Sequence, residues 1–160
     1  MKRVLAIDPG TTESGVIIWD GNEIKAKGKW GNYGVLLQIR CCHDMNIVPD
    51  AMVIEEINPY TMGKTTRDTI LWSGRFQEAW ESHGYECSYL SRIEVRQHLC
   101  GSGGPKINDK VIKQALVDRF AYGQKNYGKG TKKEPGFFHG FASDVWQAFA
   151  LAVTWYDKNQ

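Results

Sequence analysis

Four acids stand where acids are unusual. Asp8 ends the apolar run RVLAID and is followed at once by Pro-Gly and hydroxyl residues, in AIDPGTTESG. Glu55 and Glu56 interrupt the otherwise apolar AMVIEEI, and Asp144 opens the final segment SDVWQAFALAVTWYDKN. A carboxylate drawn into apolar surroundings is costly unless it is paired or bound to a metal. Neighbouring strand residues point to opposite faces, so only one of Glu55 and Glu56 can point where Asp8 points. Two strands and a helix that gather three carboxylates create mutual repulsion, which divalent cations relieve. The donors are oxygens and no His/Cys cage is evident, so magnesium is the natural guest. Each acid alone has a plainer role. Asp8 can start a turn, Asp144 can favour a helix dipole, and Glu56 can be a solvated strand end. Together, with a basic stretch between them, they read as a metal site.

That basic stretch is pronounced. The chain carries a net charge of only +2, yet Ser91 to Lys133 holds ten Lys or Arg against Glu94, Asp109 and Asp118, a local +7 that leaves −5 for the remainder. Such polarity fits a polyanion docked on one side; a solvated helical surface would show the same charge. A length of 160 residues and 42% hydrophobic content suit one domain, 1–160, with a real core. No apolar run is long enough to span a bilayer. The acid in MKRVLAIDPG comes too early for a signal peptide. The expectation is a soluble, cytoplasmic protein with no membrane partner. Cys41, Cys42, Cys87 and Cys100 form no C-x-x-C pair, and CCH at 41–43 lacks zinc-ligand spacing. Reduced, mostly buried thiols are expected.

The elements that must position these acids follow from periodicity and turn chemistry. Residues 3–8, 15–20 and 23–30 read as three opening strands, the last two joined by the hairpin signal DGN. Helical spacing covers 33–46, a buried strand spans 51–57, and a long helix covers 61–84 with Trp72, Phe76 and Trp80. Residues 86–91 form a strand, the segment ending at Gly101 a short helix, and 108–121 a helix capped by Asn108. Residues 122–136 are a Gly- and Lys-rich loop, either functional or disordered. The last helix, 143–159, takes Ser143 as its N-cap. The order βββαβαβαα predicts an α/β fold: a mixed β-sheet flanked by helices.

With these stretches quoted, a resemblance becomes specific. AIDPGTTESG, VIEEI, LCGSGG…KINDKVIKQALVDRF and SDVWQAFALAVT occur in the order found in the RuvC family of Holliday junction resolvases, over nearly the whole chain and with phage- or prophage-like proportions. The resemblance implies a ribonuclease H-like fold, a homodimer, and Mg²⁺-dependent nicking of four-way DNA junctions in a bacterial or phage-infected cell, with Mn²⁺ as a substitute. It makes Asp8, Glu55 and Asp144 the metal ligands of a two-ion site, with Asp8 between the ions. Lys110 fits the lysine before the family's penultimate helix, and Lys106 lies close by. Tyr60, Lys64 and Arg67 fall where the family's loop and helix start face DNA. Lys129, Lys132 and Lys133 extend the basic surface. Gln147 replaces the family's second acid one helical turn after Asp144, and His139 is the other residue nearby.

Three rival readings remain open. IDPGTT also resembles the first phosphate loop of actin-like sugar kinases and heat-shock ATPases, although those need two such lobes. The YqgF-type ribonuclease-like family shares the fold. A junction-binding module with a weakened site is the third, since Gln147 departs from the usual acid. The helix at 61–84 is a candidate dimer contact or, equally, ordinary core.

Overall fold

The computed structural model describes residues 2–42, 47–58, 60 and 63–160. Five strands, β1 (Val4–Asp8), β2 (Glu13–Trp19), β3 (Ile24–Gly31), β4 (Ala51–Glu56) and β5 (Cys87–Ser91), form one sheet in the order β3-β2-β1-β4-β5. The first three make an antiparallel meander, while β4 and β5 run parallel to β1. The meander forms because Asp20 closes the β2–β3 turn, its Oδ1 accepting from the backbone N–H groups of Asn22 (2.9 Å) and Glu23 (2.7 Å). The parallel strands need crossovers, and helices supply them. These are α1 (Asn32–Arg40) and α2 (Lys64–Glu81), followed after β5 by α3 (Arg92–Cys100), α4 (Asp109–Phe120) and α5 (Ser143–Lys158). This is the mixed, helix-flanked α/β sheet expected from the sequence. The short helix expected to end at Gly101 is present with nine residues, so three helices follow the last strand, one more than the order βββαβαβαα counts.

Alternation along the strands splits the core in two. Leu5, Ile7, Val16, Ile18, Met52 and Ile54 pack against α1 and α2. Val4, Ala6, Ile17, Trp19 and Val53 pack against α5, with α3 and α4 outside it. The helix α5 is buried nearly all round, from Val145 to Trp155 apart from Gln147, because the sheet covers one side and an aromatic cluster of Phe120, Phe137, Phe138 and Phe141 covers much of the other.

Several expectations are corrected. Phe76 and Trp80 are fully buried against the sheet, and of these three aromatic residues only Trp72 is part-exposed. The exposed apolar residues on this side are Tyr33, Leu37 and Leu71. The N-cap of α5 is Ala142, not Ser143, and no side chain caps it. Buried Phe141 anchors the chain one residue earlier, so the first helical bond runs from Trp146 N–H to the Ala142 carbonyl. The loop after α4 is folded: Gly130 bridges to Pro135, and Phe138 is buried beneath. None of the four cysteines is in a disulfide, but they are not mostly buried: only Cys42 is buried, Cys87 and Cys100 are half-buried, and Cys41 is exposed. The helix ends expected at 43–46 and 61–62 lie outside the described residues.

Candidate active site

One row across the sheet gathers the groups that could do chemistry. On β3, Lys29 pairs with Gly15 of β2, and Gly15 pairs with Asp8 of β1. The β1–β4 register ends at Ile7 opposite Ile54, which sets Asp8 beside Glu55 one step on. Glu55 in turn faces Leu90 of β5, and Arg92 is the first residue of the helix that follows. Asp8 and Glu55 continue the alternation of Ala6 and Val53, so both point to the α5 side. Glu56 points away and is exposed. Gly15 is a gap in this row. A Cβ there would collide with the backbone and Cβ of Asp144, so its missing side chain lets the first turn of α5 settle over β2.

The electrostatics differ along the row. Glu55 is only 8% exposed. Its Oε1 accepts from Arg92 Nε at 2.7 Å and its Oε2 from Nη2 at 3.4 Å. The capping box of α3, in which Ser91 Oγ accepts from Glu94 N–H and Glu94 Oε2 from Ser91 N–H, fixes the backbone that presents Arg92. The Asp8 carboxyl is pushed up to about 9. Burial is the largest cause, then its hydrogen bond to Glu55 and the charges of Glu55 and Asp144, with Arg92 opposing. Burial and the neighbouring Glu55 thus favour the protonated form of Asp8 in the metal-free pair. On the other flank, Asp144 Oδ2 lies 2.8 Å from Lys29 Nζ, and Glu13 Oε2 lies 3.9 Å from the same amine. The Asp144 partner holds the Lys29 ammonium above its ordinary range.

The turn after Asp8 is locked from within. Gly10 N–H donates to Ser14 Oγ (3.3 Å), Ser14 Oγ donates to Asn32 Oδ1 (2.6 Å), and Asn32 Nδ2 donates to the Gly10 carbonyl (2.9 Å). Neither backbone group of Gly10 is left to face an anion, so the turn shapes the strand end rather than offering this glycine to a phosphate.

Asp8 lies between two hollows. On one side it and Glu55 floor a cleft of about 890 Å³, walled by Tyr60, Thr65, Thr66, Ser91, Arg92 and Arg96, with exposed Glu56 also on its lining. On the other, a hollow of about 210 Å³ is lined by Asp8, Thr11, Glu13, Lys29 and Asp144. A third, of about 440 Å³, adjoins the cleft and holds Lys110 with Arg92, Arg96, Asn108 and Asp109. Lys110 is presented there because Asn108 Oδ1 accepts from its backbone N–H at 3.0 Å. Lys106 is exposed on the preceding turn. Lys64 and Arg67 are exposed on the first turn of α2, whose threonines wall the cleft. Lys132 and Lys133 are exposed and Lys129 is half-buried, all on the loop after α4. His139 belongs to that loop, its Nδ1 lying 3.2 Å from the Lys129 carbonyl. Gln147 is half-buried one turn after Asp144.

The structure thus assembles Asp8 and Glu55 and keeps Asp144 on the far flank of Asp8, held by Lys29. Among the described residues, no three His, Cys, Asp or Glu side chains close into a ready metal cage. The Asp8–Glu55 pair suits a divalent cation: it is an all-oxygen set, buried, and crowded enough to retain a proton. Asp144 would join only by leaving Lys29. Sequence reasoning missed Arg92, Lys29 and Arg96, whose buried Nε has no hydrogen-bond partner among the described residues. Arg92 had a signal, since it follows a strand that ends level with the acids. Lys29 had none without the β2–β3 register.

No family model matches the chain, and no curated protein matches it in sequence. Solved structures match its shape, two of them RuvC structures. The RuvC structure of Thermus thermophilus is 17% identical, with a TM-score of 0.70 over 99% of this chain and 96% of that one. The structure of T. thermophilus RuvC in complex with a Holliday junction substrate is 18% identical, with a TM-score of 0.70 over 96% of this chain and 92% of that one. The chain therefore has the RuvC fold, the ribonuclease H-like architecture that the sequence resemblance implied.

Proposed function

We propose that this chain is a metal-dependent endonuclease that resolves four-way DNA junctions by paired nicks, working as a homodimer of single-domain subunits in the cytoplasm of a bacterial or phage-infected cell. The observation that carries this reading is the buried Asp8–Glu55 carboxyl pair at the floor of a cleft walled by Arg92 and Arg96, with Lys110 in the adjoining hollow, in a chain with the RuvC fold. A neighbour with that fold is known with a Holliday junction substrate. Among the described residues no helix is long and apolar enough to cross a membrane.

Asp8, Glu55 and Asp144 are the residues that would hold Mg²⁺, or Mn²⁺ in its place. Bound there, the ions supply activation of the attacking water and stabilisation of the leaving 3′ oxygen, which leaves a 5′ phosphate and a 3′ hydroxyl. The protein's own groups do the rest. To hold the ions, Asp8 would have to be deprotonated and Asp144 would have to part from Lys29. Lys110, with Lys106 behind it, offsets negative charge on the phosphate under attack. Lys64 and Arg67 receive the strand at the cleft mouth, where exposed Tyr60 offers a stacking face to an unpaired base. Lys129, Lys132 and Lys133 neutralise outlying phosphates. The dimer contact falls on the exposed Tyr33, Leu37 and Leu71 and the part-exposed Trp72 of α1 and α2, in place of buried Phe76 and Trp80.

A second reading, a junction-binding module without activity, is favoured by one observation: Asp144 is neutralised by Lys29, and Gln147 adds no charge. Incubation with a synthetic mobile four-way junction and a matched linear duplex separates the two. The nuclease reading expects nicks in the junction alone, with Mg²⁺ and not with chelator. Tight junction binding without nicks under any metal would support the module instead.

A further inference from the structure

The mechanism above gives Arg92 no role, yet this side chain holds the most buried acid of the site. Its guanidinium is bracketed by two carboxylates. Glu55 takes Nε at 2.7 Å and Nη2 at 3.4 Å, and Asp109 Oδ1 lies 3.8 Å from Nη1. The two ends of this contact are unequal: the Glu55 side chain is 10% exposed, whereas that of Arg92 is 41% exposed. Glu55 is fixed in the sheet and has nowhere to go, while the arginine head has room. Arg92 borders both the cleft over Asp8 and the hollow that holds Lys110. Its backbone is pinned by the Ser91–Glu94 capping box, so the head can change partner without a shift of the helix.

A guanidinium that covers both Glu55 oxygens occupies the atoms a cation would need. Metal at Glu55 and Arg92 at Glu55 are therefore competing states. An arginine released into that cleft must find another anion, and a nucleic-acid phosphate entering the cleft is one that matches its fork. We propose that Arg92 is a positioning residue that holds Glu55 in the DNA-free protein and yields it to the metal as its guanidinium passes to a DNA phosphate, so that metal and DNA bind cooperatively through this one side chain. The inference rests on the metal and DNA reading above. Linkage makes the effect reciprocal: DNA tightens metal binding by the factor by which metal tightens DNA binding.

The test is calorimetric titration of Mn²⁺ into the full chain, alone and with a four-way junction made resistant by phosphorothioate linkages at its branch point. In the wild type the junction should tighten Mn²⁺ about tenfold. Arg92→Gln should bind Mn²⁺ about tenfold more tightly than wild type without DNA, and the junction should then change little. Arg92→Lys, which keeps the charge but cannot cover both oxygens, should fall between. The proposal is overturned if Arg92→Gln binds Mn²⁺ no better than wild type, or if the junction still tightens it as before. Should Arg92→Gln prove unfolded by circular dichroism, Arg92→Lys decides, and unchanged DNA-free Mn²⁺ affinity in that variant overturns the proposal. A wild type that takes up no Mn²⁺ with or without junction removes the metal reading and this inference together, whereas a wild type that binds Mn²⁺ and variants that match it remove the Arg92 inference alone.

Discussion

Glu55 and Asp144 flank the same aspartate, and each is held by a cation, but in opposite fashion. Glu55 is buried in the sheet and covered by a forked guanidinium from the capped start of α3. Asp144 stands on the first turn of a helix, one-third exposed, and meets one flexible lysine that is itself 47% exposed. A solvated pair of that kind contributes little, because water screens the charges and the lysine loses side-chain freedom. Stripping the partner from a buried pair costs about 3–5 kcal/mol. The Glu55 flank is thus a preassembled half-site that exchanges partners only for an equal charge. The Asp144 flank is free to turn, so the third ligand is recruited rather than preformed.

The largest effect is expected at the residue between the two flanks. Asp8→Asn should reduce junction nicking to background while junction binding survives; full nicking in this variant would break the site assignment. The same variant has a stability signature without metal. The folded-state carboxyl titrates near 9 against an ordinary 3.8, so between these values the folded protein holds a proton that the unfolded chain has lost. Stability that is fully present below about pH 4 is therefore lost progressively as pH rises towards 9. In chelator, Asp8→Asn should melt above wild type, with a gap that widens from pH 5 to pH 9. A gap that narrows would contradict the raised carboxyl.

Next in size, Asp144→Asn should abolish nicking, whereas Gln147→Ala should lower it by about tenfold or less, because an amide can orient a ligand or a water but is a poor Mg²⁺ ligand. A magnesium titration of nicking with both variants checks this, and a Gln147→Ala as inactive as Asp144→Asn would make the amide a full member of the set. Smaller again is the outlying charge. Replacing Lys129, Lys132 and Lys133 with Ala together should flatten the slope of log affinity against log salt by about 2–3. An unchanged slope would place the loop clear of DNA. Smallest is Lys29→Gln. It should move the melting temperature by no more than about 4 °C and lower the Mg²⁺ needed for half-maximal nicking. A higher Mg²⁺ requirement would mean that Lys29 helps the metal rather than competing with it.

The acids were legible in the sequence because they break local rules: a carboxylate inside an apolar strand run stands out without any structure. The strands were legible for the same reason, as period-2 and buried runs bounded by turn residues. The cations that hold the acids were not. Lys29 reaches Asp144 only because β3 pairs with β2 in a register that sets it opposite Gly15, and Gly15 lacks the side chain that would keep α5 away. Arg92 meets Glu55 only because β5 lies parallel beside β4. Pairing across a sheet has no local periodicity. The aromatic residues of α2 failed in the other direction: Trp72, Phe76 and Trp80 share one stripe, but burial deepens along the helix, and nothing local marks where solvent ends. The loop after α4 looks like a linker in composition. It folds because Phe137, Phe138 and Phe141, just beyond its glycines and lysines, dock on α5.

The central claim is that one register of one strand, β4, sets Glu55 beside Asp8 on the α5 face and turns Glu56 away. Nicking of a mobile four-way junction in Mg²⁺ by Glu55→Gln and Glu56→Gln tests it most directly, since the two variants remove a charge from opposite faces of the same strand. The account predicts that Glu55→Gln is inactive and that Glu56→Gln keeps most of the wild-type rate. The reverse ranking would contradict it, because the catalytic face of β4 would then be the one that points away from Asp8.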